Sequence, residues 1–214
     1  NEGTASGTLV ISKASLTATA DDKTRTYGDA NPALTISYSG FVNSETSSVI
    51  DAAPTITTAA NATTSVGTVP ITVSGGSDNN YTFSYVNGNL TINKATLTAT
   101  ADDKTRVYGA ANPVLTITYS GFVNSENSSM IDVAPTVSTT ADITSDAGTI
   151  PITTTDGSDN NYTINYTDGT LSITKALLTI TADDKTRVYN TQNPGLTYSI
   201  NGFVNSETQS VLDV

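Results

Sequence analysis

The sequence contains no cysteine, no histidine and no tryptophan. Without thiols or imidazoles there is no Ser-His or Cys-His nucleophile, no thiolate zinc site and no imidazole metal site, so most enzyme classes are excluded at the outset. Bases are scarce as well: 9 Lys and Arg against 20 Asp and Glu leave a net charge of −11, which disfavours nucleic acid and anionic membrane surfaces as partners. No run of eighteen apolar residues occurs, so no membrane insertion is expected in this segment. The opening "NEGTASGTLV" has neither the basic nor the apolar part of a secretion signal. Sustained 3.6-residue periodicity is also missing. Glu45–Ile50, "ETSSVI", has room for a single helical turn before Pro54.

What the sequence does have is repetition. "TADDKTR" stands at Thr19–Arg25, Thr100–Arg106 and Thr181–Arg187, and the lysines that open the copies, Lys13, Lys94 and Lys175, are evenly spaced (94 − 13 = 175 − 94 = 81). A repeat of 81 residues without insertion or deletion predicts tandem domains. The organisation expected is residues 1–12 as the last strand of a preceding copy, 13–93 and 94–174 as two full repeats, and 175–214 as the first half of a third. "GTLVIS" at Gly7–Ser12 matches "GNLTIN" at Gly88–Asn93, which makes the chain a window on a longer array.

Within a copy, Leu16, Ala18 and Ala20 alternate with Thr17 and Thr19, and Tyr81, Phe83 and Tyr85 alternate with Thr82 and Ser84. Period-two alternation predicts half-buried β-strands, with Thr and Ser on the water side. Ile36-Ser37-Tyr38 becomes Tyr198-Ser199-Ile200 in the third copy; a volume-conserving exchange of this kind predicts that both positions are buried. Asn87-Gly88 and Asp168-Gly169 predict tight hairpin turns. Inward parity changes from even numbers (Leu90, Ile92) to odd (Leu97, Ala99), so one strand leaves its core and the next begins with almost no linker. The expected class is all-β: tandem small β-sandwiches of immunoglobulin-like character in a linear array. A β-grasp-like sheet with one short helical turn is the alternative.

"YGDANPALTISYSGFVNSE" (Tyr27–Glu45), "VGTVPITVSGG" (Val66–Gly76) and "NNYTFSYVNGNLTI" (Asn79–Ile92) resemble the MBG repeat of the Tyr-Gly type, found in tandem arrays of bacterial surface adhesins. The third copy departs from this pattern, with Asn190 in place of Gly28 and Gly109, and Asn is the residue next most tolerant of left-handed backbone. The resemblance implies a structural stalk or spacer of a long extracellular bacterial adhesin or surface filament, located at the cell surface. It supplies no catalytic, cofactor-binding or metal residue. The partners it implies are neighbouring repeats of the same chain, with surface glycans or other filament chains as further candidates. A multivalent glycan- or surface-binding module acting through avidity is the alternative function.

Several motifs admit a sharper reading. Asp21, Asp22, Lys23 and Arg25 read first as a solvated charged turn that protects a strand end. They read second as a clamp reaching the Lys94 region, and third as a calcium site with Asp78 or Asn79. Paired catalytic carboxylates are disfavoured, because neighbours on a strand end point to opposite faces. Asn43 and Glu45 lie on one face of "FVNSE", where a lysine could form an isopeptide bond. Glu45, Glu126 and Glu207 are the only glutamates besides Glu2. Asn-x-Ser/Thr matches such as Asn80-Tyr81-Thr82 are weak in so Thr-rich a chain.

Overall fold

A computed structural model of the protein describes residues 7–212. The chain divides into two compact units. One comprises the chain through Thr96 together with Phe122–Asn127 and Asp159–Thr163; the other comprises Leu97–Gly121, Ser128–Ser158 and the chain from Ile164 onward.

The first unit contains β1 (Ala14–Ala20), β2 (Lys23–Thr26), β3 (Ile36–Ser39), β4 (Thr55–Thr58), β5 (Gly67–Ser74), β6 (Tyr81–Val86) and β7 (Gly88–Asn93). They form a three-stranded sheet in the order β3-β1-β6 and a four-stranded sheet in the order β2-β7-β5-β4. The architecture is thus the all-β one that the alternation implies. A single 3-10 turn, Ser47–Val49, falls within "ETSSVI". Leu16, Ala18 and Ala20 of β1 meet Ile71 and Val73 of β5 and Leu90 and Ile92 of β7 in the core between the sheets. Two pairings are parallel: β1 with β6, in register Ala14 to Tyr81, and β2 with β7, in register Lys23 to Leu90. Parallel neighbours need long crossovers, so each sheet ties sequence-distant strands together.

The second sequence copy repeats the plan with β8 (Ala95–Ala101), β9 (Lys104–Val107), β10 (Ile117–Ser120), β11 (Thr136–Thr139), β12 (Gly148–Thr155), β13 (Tyr162–Thr167) and β14 (Gly169–Thr174), of which the first two residues of β8 and of β13 fall in the first unit and the rest in the second. Their sheets run β10-β8-β13 and β11-β12-β14-β9, and β15 (Thr179–Ala182) pairs antiparallel with β16 (Tyr198–Asn201). Ala101, Ala141, Ile152, Leu171 and Ile173 form its buried core cluster.

The parity change holds: Gly88, Leu90 and Ile92 are buried on β7, Ala95, Leu97 and Ala99 on β8, and Lys94 alone separates the two strands. Other expectations need correction. Asn87-Gly88 is not a hairpin turn, because β6 bonds to β1 whereas β7 bonds to β2 and β5 in the other sheet. The dipeptide is a corner between sheets. Asn87 Oδ1 accepts from Val73 N at 3.3 Å, and a Cβ on Gly88 would sit 2.5 Å from the Ala20 carbonyl oxygen. Ile36 and Tyr38 are half-buried rather than buried, since β3 is an edge strand. Tyr85 is not a core residue: it is 42% exposed, and its ring stacks on Phe83 at 6.3 Å. Asn190 keeps the left-handed turn, with φ of 63° against 88° at Gly28 and 81° at Gly109. Of the segment expected as a strand of a preceding copy, residues 1–6 lie outside the described residues, and Gly7–Ser12 carries no strand.

Candidate functional site

"TADDKTR" serves the interior of its own repeat. Asp21 accepts hydrogen bonds from the hydroxyls of Thr35 and Ser37, which hold its carboxyl below the usual carboxylate range, and Asp22 accepts from Asn89 N at 2.7 Å. The acids thereby pin the β1–β2 corner to the loop and strand on either side. Lys104 and Lys185 stand 3.8 and 3.9 Å from Asp102 and Asp183 of their own heptads. At about 0.2–1 kcal/mol such exposed pairs do not decide the fold.

Arg25 departs from the expected solvated turn. It is only 7% exposed and carries no acid partner among the described residues; Nε donates to Asn31 Oδ1 at 2.9 Å, Nη1 to the Thr26 carbonyl at 3.0 Å and Nη2 to the Asn61 carbonyl. Asn31 Nδ2 in turn donates to the Ala60 carbonyl at 2.6 Å. A planar fork of donors suits three fixed acceptors where a lysine would satisfy one or two. The effect is to hold the loop around Ala60–Thr64 beside the Tyr27-Gly28 turn.

That turn leads to the site at which successive sequence copies meet within one compact unit. Tyr27 OH donates to Glu126 Oε1 at 2.5 Å, and Tyr162 OH donates to Glu126 Oε2 at 2.5 Å. The two rings meet edge to face at 5.7 Å, and Phe122 meets Tyr162 at the same distance. Tyr162 OH also accepts from Val123 N at 3.0 Å, so the hydroxyl is fully engaged. Around this centre, Asn124 Nδ2 donates to the Ala62 carbonyl at 3.3 Å, and Val66 N donates to Asn161 Oδ1 at 3.0 Å. Gly28 lies against Val123 so closely that an added Cβ would meet it at 2.5 Å; the position needs both the positive φ and the missing side chain.

Electrostatics follow from the arrangement. The hydrogen bond to Glu126, with burial, raises the Tyr27 phenol above its ordinary value; burial and then the Glu126 bond push Tyr162 to about 12. A carboxylate that accepts two phenol protons favours the neutral phenols, so the cluster is cohesive and is not poised for proton transfer.

Part of the set recurs one period on, inside the second unit. Tyr108 OH donates to Glu207 Oε1, Asn205 Nδ2 donates to the Ile143 carbonyl at 3.1 Å, and Gly109 packs on Val204. In the first repeat Tyr81 OH donates to Glu45 Oε2 at 2.5 Å and accepts from Val42 N at 3.0 Å.

The fold separates the heptad acids from the partners weighed for them, whereas Lys13, Asn43 and Glu45 line one cleft. Asp21 and Asp22 do not contact Lys94, whose Nζ donates to the Asp159 carbonyl at 2.6 Å. Asp78, weighed as a calcium ligand, accepts from the backbone N of Asn80, Tyr81 and Asp51, and these bonds lower its carboxyl. Asn124, the counterpart of Asn43, donates from Nδ2 to the Ala62 carbonyl. Sequence reasoning singled out Glu45, Glu126 and Glu207 by their rarity and missed Tyr27 and Tyr108 as the partners of the last two. The signal available was that each glutamate sits in "GFVNSE" wherever a Tyr-Gly or Tyr-Asn stands elsewhere in the period.

No helix among the described residues is long and apolar enough to cross a membrane. No curated protein matches the chain. The family model for the MBG domain (YGX type) matches residues 16–91, 97–172 and 178–214, a span that takes in both glutamate clamps, and the chain belongs to that family of tandem-repeat domains.

Proposed function

We propose that this chain is a spacer segment of a long extracellular bacterial adhesin or surface filament, projecting a distal binding region, and that the tyrosine–glutamate clamp couples each repeat to the next. The observation that carries this reading is recurrence: Tyr27 with Glu126 and Tyr108 with Glu207 use the same atoms, each pair 99 residues apart. A lone lysine between β7 and β8 leaves no flexible linker to decouple them. Partners are neighbouring repeats, and no catalytic, cofactor or metal role is assigned to any residue. The residues form cohesive contacts throughout, and no nucleophile–base pair stands among the groups described above.

Pulling single molecules from their ends tests the mechanical role. Unfolding should occur in discrete steps, each releasing at most about 290 Å of chain, the extended length of 81 residues at ~3.6 Å each. Smooth extension without steps would refute it. A second reading, weak glycan binding multiplied by avidity, draws support from the stack of exposed Tyr85 on half-buried Phe83. Ile164 replaces Phe83 in the second repeat, so the stack is not repeated and avidity loses its basis. Saturable binding of the intact chain on a glycan array would favour this second reading over the spacer.

A further inference from the structure

The Asn87-Gly88 corner carries chemistry that its structural role does not use. Asn87 is the one residue between β6 and β7, and it is exposed, whereas Gly88 is buried. Asn87 Oδ1 accepts from Val73 N at 3.3 Å, and its Nδ2 has no acceptor among the described residues. A carboxamide held in this way presents a carbonyl polarised by a backbone donor and a nitrogen open to water. The following residue is fixed as glycine, since a Cβ there would sit 2.5 Å from the Ala20 carbonyl oxygen. Glycine leaves its own backbone nitrogen unshielded beside the Asn87 side chain.

The second repeat supplies the comparison. Asp168-Gly169 stands at the same place, with Asp168 alone between β13 and β14, exposed, and its Oδ1 accepting from Thr154 N at 3.2 Å. Gly169 lies against the Ala101 carbonyl as Gly88 lies against that of Ala20. The neighbouring acids match as well: Asp22 Oδ1 accepts from Asn89 N and Asp103 Oδ1 from Thr170 N, both at 2.7 Å. An aspartate thus fits this corner with its hydrogen bond intact and the heptad acid close by. The two repeats present one corner with an amide and with the acid that hydrolysis of the amide would give.

We propose that Asn87-Gly88 is a self-modification site, at which the native chain converts Asn87 to aspartate with water as its only co-reactant. Hydroxide removes the Gly88 N–H proton, and the nitrogen adds to Asn87 Cγ. Negative charge develops on Oδ1, where the Val73 N–H already points, so that bond strengthens along the path. The Cγ–Nδ2 bond breaks and the nitrogen leaves as ammonia, taking a proton from water, which leaves a cyclic imide. Water then adds at Cγ, the ring bond from Cγ to Gly88 N breaks, and Gly88 N regains its proton. The peptide bond is restored and a carboxylate stands where the amide was. Opening at the Asn87 backbone carbonyl instead would route the chain through the side chain and add a methylene between β6 and β7. Those strands belong to different sheets and Gly88 is pressed on Ala20, so the corner favours the aspartate. The inference goes beyond the spacer reading and does not depend on it.

The test holds the full chain in mildly alkaline buffer, either folded or unfolded in guanidinium. Peptide mapping by mass follows conversion of amide to acid at Asn87, apart from Asn201-Gly202, the other Asn-Gly step of the chain. Conversion in the folded chain is expected within ~100-fold of the unfolded rate, because a reaction that had to await global unfolding would lag by ~1,000-fold or more. A lag beyond ~100-fold overturns the site. Asn87→Gln, whose longer side chain closes a ring far more slowly, should abolish the change in this peptide; an unchanged rate in that variant overturns the route through Gly88 N. Converted protein, and Asn87→Asp made directly, should keep the Val73 amide protected from hydrogen exchange and melt within ~2 °C of the parent. Isoaspartate as the main product, loss of Val73 protection or a larger melting shift overturns the corner as a place that accommodates the acid.

Discussion

Glu126→Gln is the most informative single perturbation. The substitution preserves shape and removes the charge that both tyrosine hydroxyls address at 2.5 Å. A hydrogen bond to a charged group contributes about 1.5–3 kcal/mol and a neutral one about 0.5–1.5, so two bonds together lose about 2–3 kcal/mol. Glu126 is only half-buried, and water will restore part of this, which leaves about 2 kcal/mol. In a unit on the order of 100 residues that corresponds to a melting shift of about 8 °C at roughly 4 °C per kcal/mol. Alkaline pH gives an internal control. The phenols of Tyr27 and Tyr162 are raised, Tyr162 to about 12, so their contribution is complete below the unfolded value near 10 and is lost as pH rises through the folded value. Melting followed by circular dichroism should therefore show a gap of about 8 °C between parent and variant at pH 7, narrowing between about pH 10 and 12. A gap under about 1 °C at pH 7, or one that stays constant to pH 12, would refute the clamp as an energetic unit.

Three further outcomes are expected. Thr154→Val should stabilise the second unit by about 1–2 kcal/mol in denaturant melts: Thr154 is 2% exposed, its hydroxyl has no partner among the described residues, and the first repeat carries Val73 there. A lower midpoint would show that the hydroxyl is satisfied. Arg25→Lys should cost about 2–3 kcal/mol and raise exchange around Ala60–Thr64, because a lysine reaches one or two of the three acceptors; a neutral effect would mean that the fork geometry is unimportant. Gly28→Ala should destabilise the first unit by at least about 2 kcal/mol through both the positive φ and the clash with Val123. Gly195→Ala, where nothing lies within 4 Å of an added Cβ, serves as the control, and equal melting of the two variants would contradict the packing.

Local sequence determined the period, the inward face of β1 and the parity change between β7 and β8, because side-chain alternation along an extended backbone involves only neighbouring residues; it did not fix how deeply Ile36, Tyr38 or Tyr85 are buried. It also determined the tolerance of Asn190 at a left-handed turn. Partner choice was decided elsewhere. Asn87-Gly88 carries a strong hairpin signal, yet whether β7 turns back on β6 depends on the edges offered by β2 and β5, which lie far from it in the chain. Arg25 looked like one of a run of exposed charges, and only the convergence of Asn31, Thr26 and Asn61 makes it a buried node. Glu126 stood out in the sequence as a rare acid, but its two tyrosines are 99 and 36 residues distant. Such pairings are fixed by how the sheets close and by which copy packs on which. Hydrogen bonds across those distances form only when the backbone brings their ends together, and that geometry belongs to the tertiary structure.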